Sequence, residues 1–167
     1  MNRRIAFALV VVSLFSVAAF GQASATATAN ATARVVTPIA IAKLTDLNFG
    51  SLIASPAAGT VTIDPAGTRT SGGGVTLLNS PYSAATFNVT GEPLTAYTIT
   101  LPNAIPIVHT VNNAFTMVVN TFASNPSGTG TLSALGAQQL NVGATLQVAA
   151  GQASGLYTGT FDVTVAY

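Results

Sequence analysis

The sequence predicts an all-β fold: an immunoglobulin-like antiparallel β-sandwich with a protruding N-terminal strand. Three observations carry this. Apolar residues recur at spacing two, Thr and Val dominate the stretches between breaks, and clusters of Gly, Pro, Asn and Ser interrupt each stretch before a helical period can develop. About seven to nine short strands at this spacing suit a two-sheet sandwich, with a small jelly roll as the alternative.

The elements follow in order. Arg3 and Arg4 precede an apolar run from Ile5 to Phe20, broken only by Ser13 and Ser16, and Ala23-Ser24-Ala25 supplies a small-x-small cleavage site. Residues 1–25 therefore read as a secretory signal peptide. The run, about 16 residues, is shorter than the roughly 20 that cross a bilayer, so no membrane span is expected after cleavage.

Residues 26–38 form an N-terminal arm. Ala25, Ala27, Ala29, Ala31, Ala33 and Val35 alternate with Thr26, Thr28, Asn30, Thr32 and Arg34, and Pro38 interrupts the run before the next apolar pair. A 12-residue strand of this kind spans about 40 Å, long enough to follow the whole edge of a sandwich. No hairpin partner lies nearby in sequence.

Residues 39–167 read as one β-sandwich domain. Ile39 and Ile41 begin a strand after Pro38. Val61 and Ile63 alternate with Thr60, Thr62 and Asp64; Ala85, Phe87 and Val89 with Thr86, Asn88 and Thr90; Tyr97, Ile99 and Leu101 with Thr98 and Thr100. Phe115, Met117 and Val119 continue the pattern, as do Leu146, Val148 and Ala150. The last strand is the clearest: Tyr157, Phe161, Val163, Val165 and Tyr167 share one face, with Thr158, Thr160, Asp162, Thr164 and Ala166 on the other. Turn signals separate these runs, among them Asp64-Pro65-Ala66-Gly67, Gly91-Glu92-Pro93 and Asn112-Asn113. The Gly-rich stretches Ser71 to Gly74 and Ser124 to Gly130 are expected to be mobile loops.

Charge excludes several functions. Only 5% of the 167 residues are charged, against roughly 25% in an ordinary domain. Five basic residues cannot build the patch that displaces counterions from phosphates, so no nucleic acid is expected as a partner. After signal cleavage Arg34, Lys43 and Arg69 stand against Asp46, Asp64, Glu92 and Asp162, one charge negative in sum. The chain has no Cys, so stability rests on packing and backbone pairing although an exported compartment permits disulfides.

The same scarcity argues against catalysis. His109 is the single His and has no Cys or acid near it in sequence, which suits a surface or capping role better than a zinc site or a nucleophile triad. Asp64 and Glu92 lie in or beside Pro–Gly turns and read as turn acids rather than a glycosidase pair. Asp162 is expected to face solvent or Arg69, and Lys43, near Asp46, reads as the solvated end of a strand. Gly72 to Gly74 has no Lys and helix after it and is no phosphate loop. We therefore expect no enzyme, no cofactor and no metal.

A first strand without a local partner can pair with another copy of the chain. In such β-strand addition main-chain hydrogen bonds hold the donor and alternate side chains fill a groove. Donor and acceptor patches differ, so the contact is head-to-tail and propagates into a filament. On this reading Ala27, Ala29, Ala31, Ala33 and Val35 are the donor face, with Val35 and Val36 its strongest anchors. The arm could instead be the first strand of its own sheet, or a frayed tail.

The order of motifs adds a resemblance. The arm, Pro38-Ile39-Ala40-Ile41, Asp46-Leu47-Asn48-Phe49-Gly50, Ile63-Asp64-Pro65-Ala66-Gly67, Gly91-Glu92-Pro93, Tyr97-Thr98-Ile99 and the closing Gly155 to Tyr167 stretch resemble a family of secreted bacterial proteins of unknown function. That family is similar to chaperone–usher fimbrial subunits and spore-coat-U-type proteins. The resemblance implies a pilin-like, incomplete immunoglobulin-like subunit in the periplasm, on the cell surface or in a fimbrium, with a periplasmic chaperone and an outer-membrane usher as partners beside other copies of itself. It also implies that Tyr157, Phe161, Val163, Val165 and Tyr167 line the acceptor groove and face the chaperone. Two departures stand out: the disulfide common in fimbrial subunits is missing, and donor arms usually carry residues larger than alanine.

The expected function is therefore an exported structural subunit of a fimbria-like or surface fibre. The rival is a monomeric exported sandwich that binds a carbohydrate or envelope partner through its loops. With no Trp, and Tyr82 as the most plausible loop aromatic, that rival lacks the usual stacking platform.

Overall fold

A computed structural model describes residues 23–167; residues 1–22, on which most of the expected signal peptide falls, lie outside the described residues. Residues 23–34 belong to one compact unit and residues 35–167 to another. In the first unit the described residues are exposed and form no strand.

The second unit is an all-β, antiparallel sandwich, with no helix among the described residues. Its strands are β1 (Ala40–Thr45), β2 (Leu52–Ile63), β3 (Arg69–Leu77), β4 (Ala85–Thr90), β5 (Ala96–Thr100), β6 (Ala104–His109), β7 (Thr116–Asn125), β8 (Thr129–Thr131), β9 (Ala137–Val148), β10 (Tyr157–Thr158) and β11 (Thr164–Ala166). The larger sheet runs β1-β4-β9-β7-β6-β10, with β2 joined to β9 and β3 to β2; the smaller runs β11-β5-β8.

The organising element is β9, twelve residues long. Leu140, Val142, Ala144, Leu146 and Val148 are all buried, which is the period-two signature of a strand with one face on the core. Along one edge β9 pairs first with β4, up to Val142, and then with β2, from Ala144 onward; β7 takes the other edge. The core accordingly has two lobes. Val61, Val75, Met117, Val119 and Leu146 form one, and Val89, Tyr97, Leu132, Leu140 and Val142 the other, with Leu47 and Phe122 packed against both. In the second lobe the hydroxyl of Tyr97 donates to Gln138 Oε1 at 2.9 Å, and burial raises its pKa above the ordinary 10.0.

Two expectations need correction. The Gly72–Gly74 run is no mobile loop: it lies inside β3 and pairs with β2 across an irregularity between Ala54 and Gly59. A Cβ on Gly74 would sit 2.0 Å from the carbonyl oxygen of Ala57, and Gly73 has φ +66°. The glycines are there because two backbones approach closely at a bulge, a use that composition cannot separate from a flexible loop. The second stretch, Ser124 to Gly130, likewise holds the end of β7 and the start of β8 around its turn.

The C-terminal segment is also not one strand. Residues 157–158 pair with β6 in the large sheet, residues 164–166 pair with β5 in the small sheet, and 159–163 cross between them without a ladder. The inside-outside alternation survives the crossing except at its end, where Tyr167, expected on the inner face, is exposed. Tyr157, Phe161, Val163 and Val165 are half-buried, and Thr158, Thr160, Asp162, Thr164 and Ala166 are exposed.

Candidate functional site

The site is the seam between the first and last strands of the sandwich. One wall is β1 and the chain after it, through Ala54. The other is the C-terminal segment, 157–167. Among the described residues each wall has a ladder on one side only: β1 pairs with β4, β10 with β6 and β11 with β5, and none of these pairs with another across the seam. Ile39 and Ile41 on the first wall and Phe161, Val163 and Val165 on the second pack against the same core lobe and stay half-buried. Farther along, the walls part around a cavity of about 680 Å³ lined by Leu47, Phe49, Leu52, Ile105, Ile107, Met117, Tyr157 and Phe161, among others. Phe161 sits where the lobes meet, edge-on to Phe87 at 6.5 Å and tilted against Phe122 at 5.1 Å.

Both ends of the seam are pinned by hydrogen bonds. At one end the Tyr167 hydroxyl donates to the carbonyl of Thr37 at 3.0 Å and accepts the N–H of Glu92, while Glu92 Oε2 accepts the N–H of Thr37 at 2.9 Å. The Thr37 peptide, the root of the arm, is thus held on both sides. Gly91 makes room for this clamp, since a Cβ there would lie 2.1 Å from the Tyr167 hydroxyl oxygen. We expect Tyr167→Phe, at a residue 48% exposed, to cost no more than about 0.5–1.5 kcal/mol of stability. It should, however, speed hydrogen exchange at the amides of Thr37 and Glu92. Unchanged exchange at both would show that the hydroxyl does not hold the root.

At the other end stands His109. Its Nδ1 accepts the N–H groups of Val111 at 3.1 Å and Asn112 at 3.0 Å, so Nε2 carries the proton and donates to Ser154 O at 3.1 Å. The ring packs edge-on against Tyr157 at 5.0 Å. Tyr157 in turn donates to Ala153 O and accepts from Gln152 Nε2, each at 2.8 Å. His109 is a cap, as the sequence suggested, but a buried one, 8% exposed, and it fastens the cavity wall at 152–157. Periodicity gave no sign of this fastening role, because Ser154, the partner on the cavity wall, lies 45 residues away.

The remaining chemistry-bearing residues serve the fold. Asp64 accepts the Thr68 N–H at 2.7 Å within its turn, whereas Glu92 belongs to the clamp. Lys43 and Asp46 form an exposed ion pair at 2.6 Å, worth little in water. Arg69 does not reach for Asp162: its guanidinium donates to Phe49 O and Leu78 O and lies over the Tyr82 ring, 4.5 Å from the centroid. One face of Tyr82 is therefore taken. Of the expected donor residues, Ala27, Ala29, Ala31 and Ala33 lie in the exposed stretch without strand structure, and Val35 is 96% exposed. The first strand of the sheet begins at Ala40, beyond the arm.

No curated protein and no solved structure matches the chain. A family model does match it, over residues 39–167 and so from the residue after Pro38 onward, and on that match the chain belongs to the domain of unknown function family DUF4402.

Proposed function

We propose that the protein is an exported structural subunit of a fimbria-like or surface fibre that assembles head-to-tail by donor-strand complementation. The observation that carries this reading is the seam: two walls whose strands, among the described residues, lack a ladder partner on the seam side and which part farther along around a largely apolar cavity, in a chain whose first strand starts only after an alternating arm. An inserted strand would satisfy backbone groups on these edges and cover the half-buried row Phe161, Val163 and Val165.

Magnitudes assign the roles. Burying Val35, the one large residue on the donor face, contributes about 1.5–3 kcal/mol, and each alanine methyl contributes less, so backbone bonds and this valine dominate. Sparse charge helps as well. With 5% charged residues the chain has few of the gatekeepers that keep strand edges apart. A periplasmic chaperone and an outer-membrane usher are the partners this assembly would use, since an open seam must be covered before the donor arrives.

The test is deletion of residues 26–36. The full mature chain should form detergent-resistant ladders that collapse to monomer on heating, and the deletion should abolish them while leaving the fold intact by circular dichroism. A chain that stays monomeric with and without the arm would sink the proposal.

A further inference from the structure

We infer that His109 is a pH-sensitive latch on the cavity wall: the neutral ring holds residues 152–157 in place, and its protonation releases them and opens the cavity. The latch belongs to the folded body and holds whatever occupies the seam. Its consequence for assembly, that acid loosens a wall on which the donor packs, rests on the donor-strand reading above.

The ring is held by groups that require it neutral. Nδ1 accepts the N–H groups of Val111 and Asn112, and Nε2–H donates to Ser154 O. Phe115 and Tyr157 pack edge-on against it at 6.0 and 5.0 Å. Gly155 lets the backbone come up to the ring, since a Cβ there would collide with Nε2. Residues 152–157 all line the cavity. Their other ties are short ones, among them the two-residue ladder of β10 on β6 and the bond from Thr110 N–H to Leu156 O at 2.9 Å.

A second observation is the want of a counter-ion. From Pro93 to Phe161 the chain has no Asp, Glu, Lys or Arg, and this span holds every residue that the ring touches. Tyr157 is the one titratable group in contact with it, and its hydroxyl is engaged by Ala153 and Gln152. The charged side chains that border the cavity in sequence or by contact are committed elsewhere. Asp46 is exposed and paired with Lys43, Asp162 is exposed, and Arg69 donates to Phe49 O and Leu78 O. No carboxylate stands ready to hold an imidazolium.

The sign follows from the tautomer. Nε2 already carries a proton, so a second can enter only at Nδ1. There it would turn an acceptor into a donor facing two N–H donors and leave both without a partner. A ring released to water takes that proton in the range of a free imidazole, about pH 6.5. The released form thus binds one proton more than the latched form. The latch is complete above this range and weakens as pH falls through it, by up to about tenfold per unit.

The test is amide exchange of the full mature chain between pH 7.5 and 5, read as protection factors so that the intrinsic pH dependence of exchange cancels. His109 is the single His, and carboxylates titrate lower, at about 4, so this window isolates the ring. Protection at Thr110, Val111 and Asn112 should fall about tenfold or more, while Leu140 and Leu146 of β9 keep theirs. His109→Asn offers both N–H groups an acceptor in an Asx turn and cannot titrate, so its protection at these amides should not change with pH. Flat protection in the parent chain, or a fall that persists in His109→Asn, would overturn the latch. Should the variant fail to fold, ring-nitrogen NMR of the parent decides: loss of the Nε2–H tautomer in step with Thr110 protection supports the latch, and its retention to pH 5 overturns it. These readings do not depend on ladders, so the latch and the donor-strand reading fail separately. Ladders made at pH 7.5 should lose heat resistance at pH 5 in the parent and keep it in His109→Asn. Equal resistance in both would overturn the consequence for assembly alone.

Discussion

Appending residues 26–36 after Tyr167 through a four-residue turn should convert the protein into a closed monomer that melts about 10 °C higher and no longer forms ladders. A hairpin at that point returns the arm along the C-terminal segment and into the seam. Burying the Val35 side chain contributes about 1.5–3 kcal/mol, and each alanine methyl of the donor face up to about 0.8 kcal/mol. Each new ladder bond adds roughly 0.5–1.5 kcal/mol and is largely offset by the roughly 1–2 kcal/mol needed to order each residue. A net gain of about 3 kcal/mol converts to the stated shift for a domain of this size. Calorimetry and size-exclusion chromatography read the two outcomes. An unchanged melting temperature would mean that the seam does not accept the arm. In the same variant Val35→Asp should return the melting point to that of the parent, because Val35 is 96% exposed when no donor is inserted and only insertion makes it matter.

Leu140→Ala should cost the body about 2–5 kcal/mol. Leu140 is fully buried in the first half of β9, opposite Phe87 of β4 and inside the lobe that holds Val89, Tyr97 and Val142. The side chain's removal leaves a cavity between two strands that cannot slide together without breaking their ladder. A domain of this size has only about 5–15 kcal/mol of stability in total, and this one has no disulfide to fall back on. The urea midpoint should drop accordingly, with the slope unchanged. A loss under about 1 kcal/mol would mean that the lobe repacks, and would weaken the view of β9 as the rigid element shared by the two lobes.

The fold class was legible in the sequence because period two is a local property. Val61 and Ile63, Ala85 and Val89, Tyr97 and Ile99, and Leu146 and Val148 each announce a buried face within a few residues, and all are buried. The same logic correctly sorted Phe161 and Val163 from Thr160 and Asp162, even though no strand forms there. The alternation of the N-terminal arm was equally visible, and with it the idea of a donor.

Alternation names a face, but it does not name a partner, and there the tertiary structure decided everything. The C-terminal segment reads as one strand, yet it pairs with β6 at one end and β5 at the other because the sandwich turns a corner beneath it. Gly72 to Gly74 reads as a loop until β2 is laid beside it. The clamp at the arm root joins Tyr167 to Thr37 across 130 residues, and His109 finds Ser154 across 45. These contacts are set by the closure of long loops and by the shape of a core built from distant strands, so the seam between β1 and the C-terminal segment exists only once the two sheets have packed.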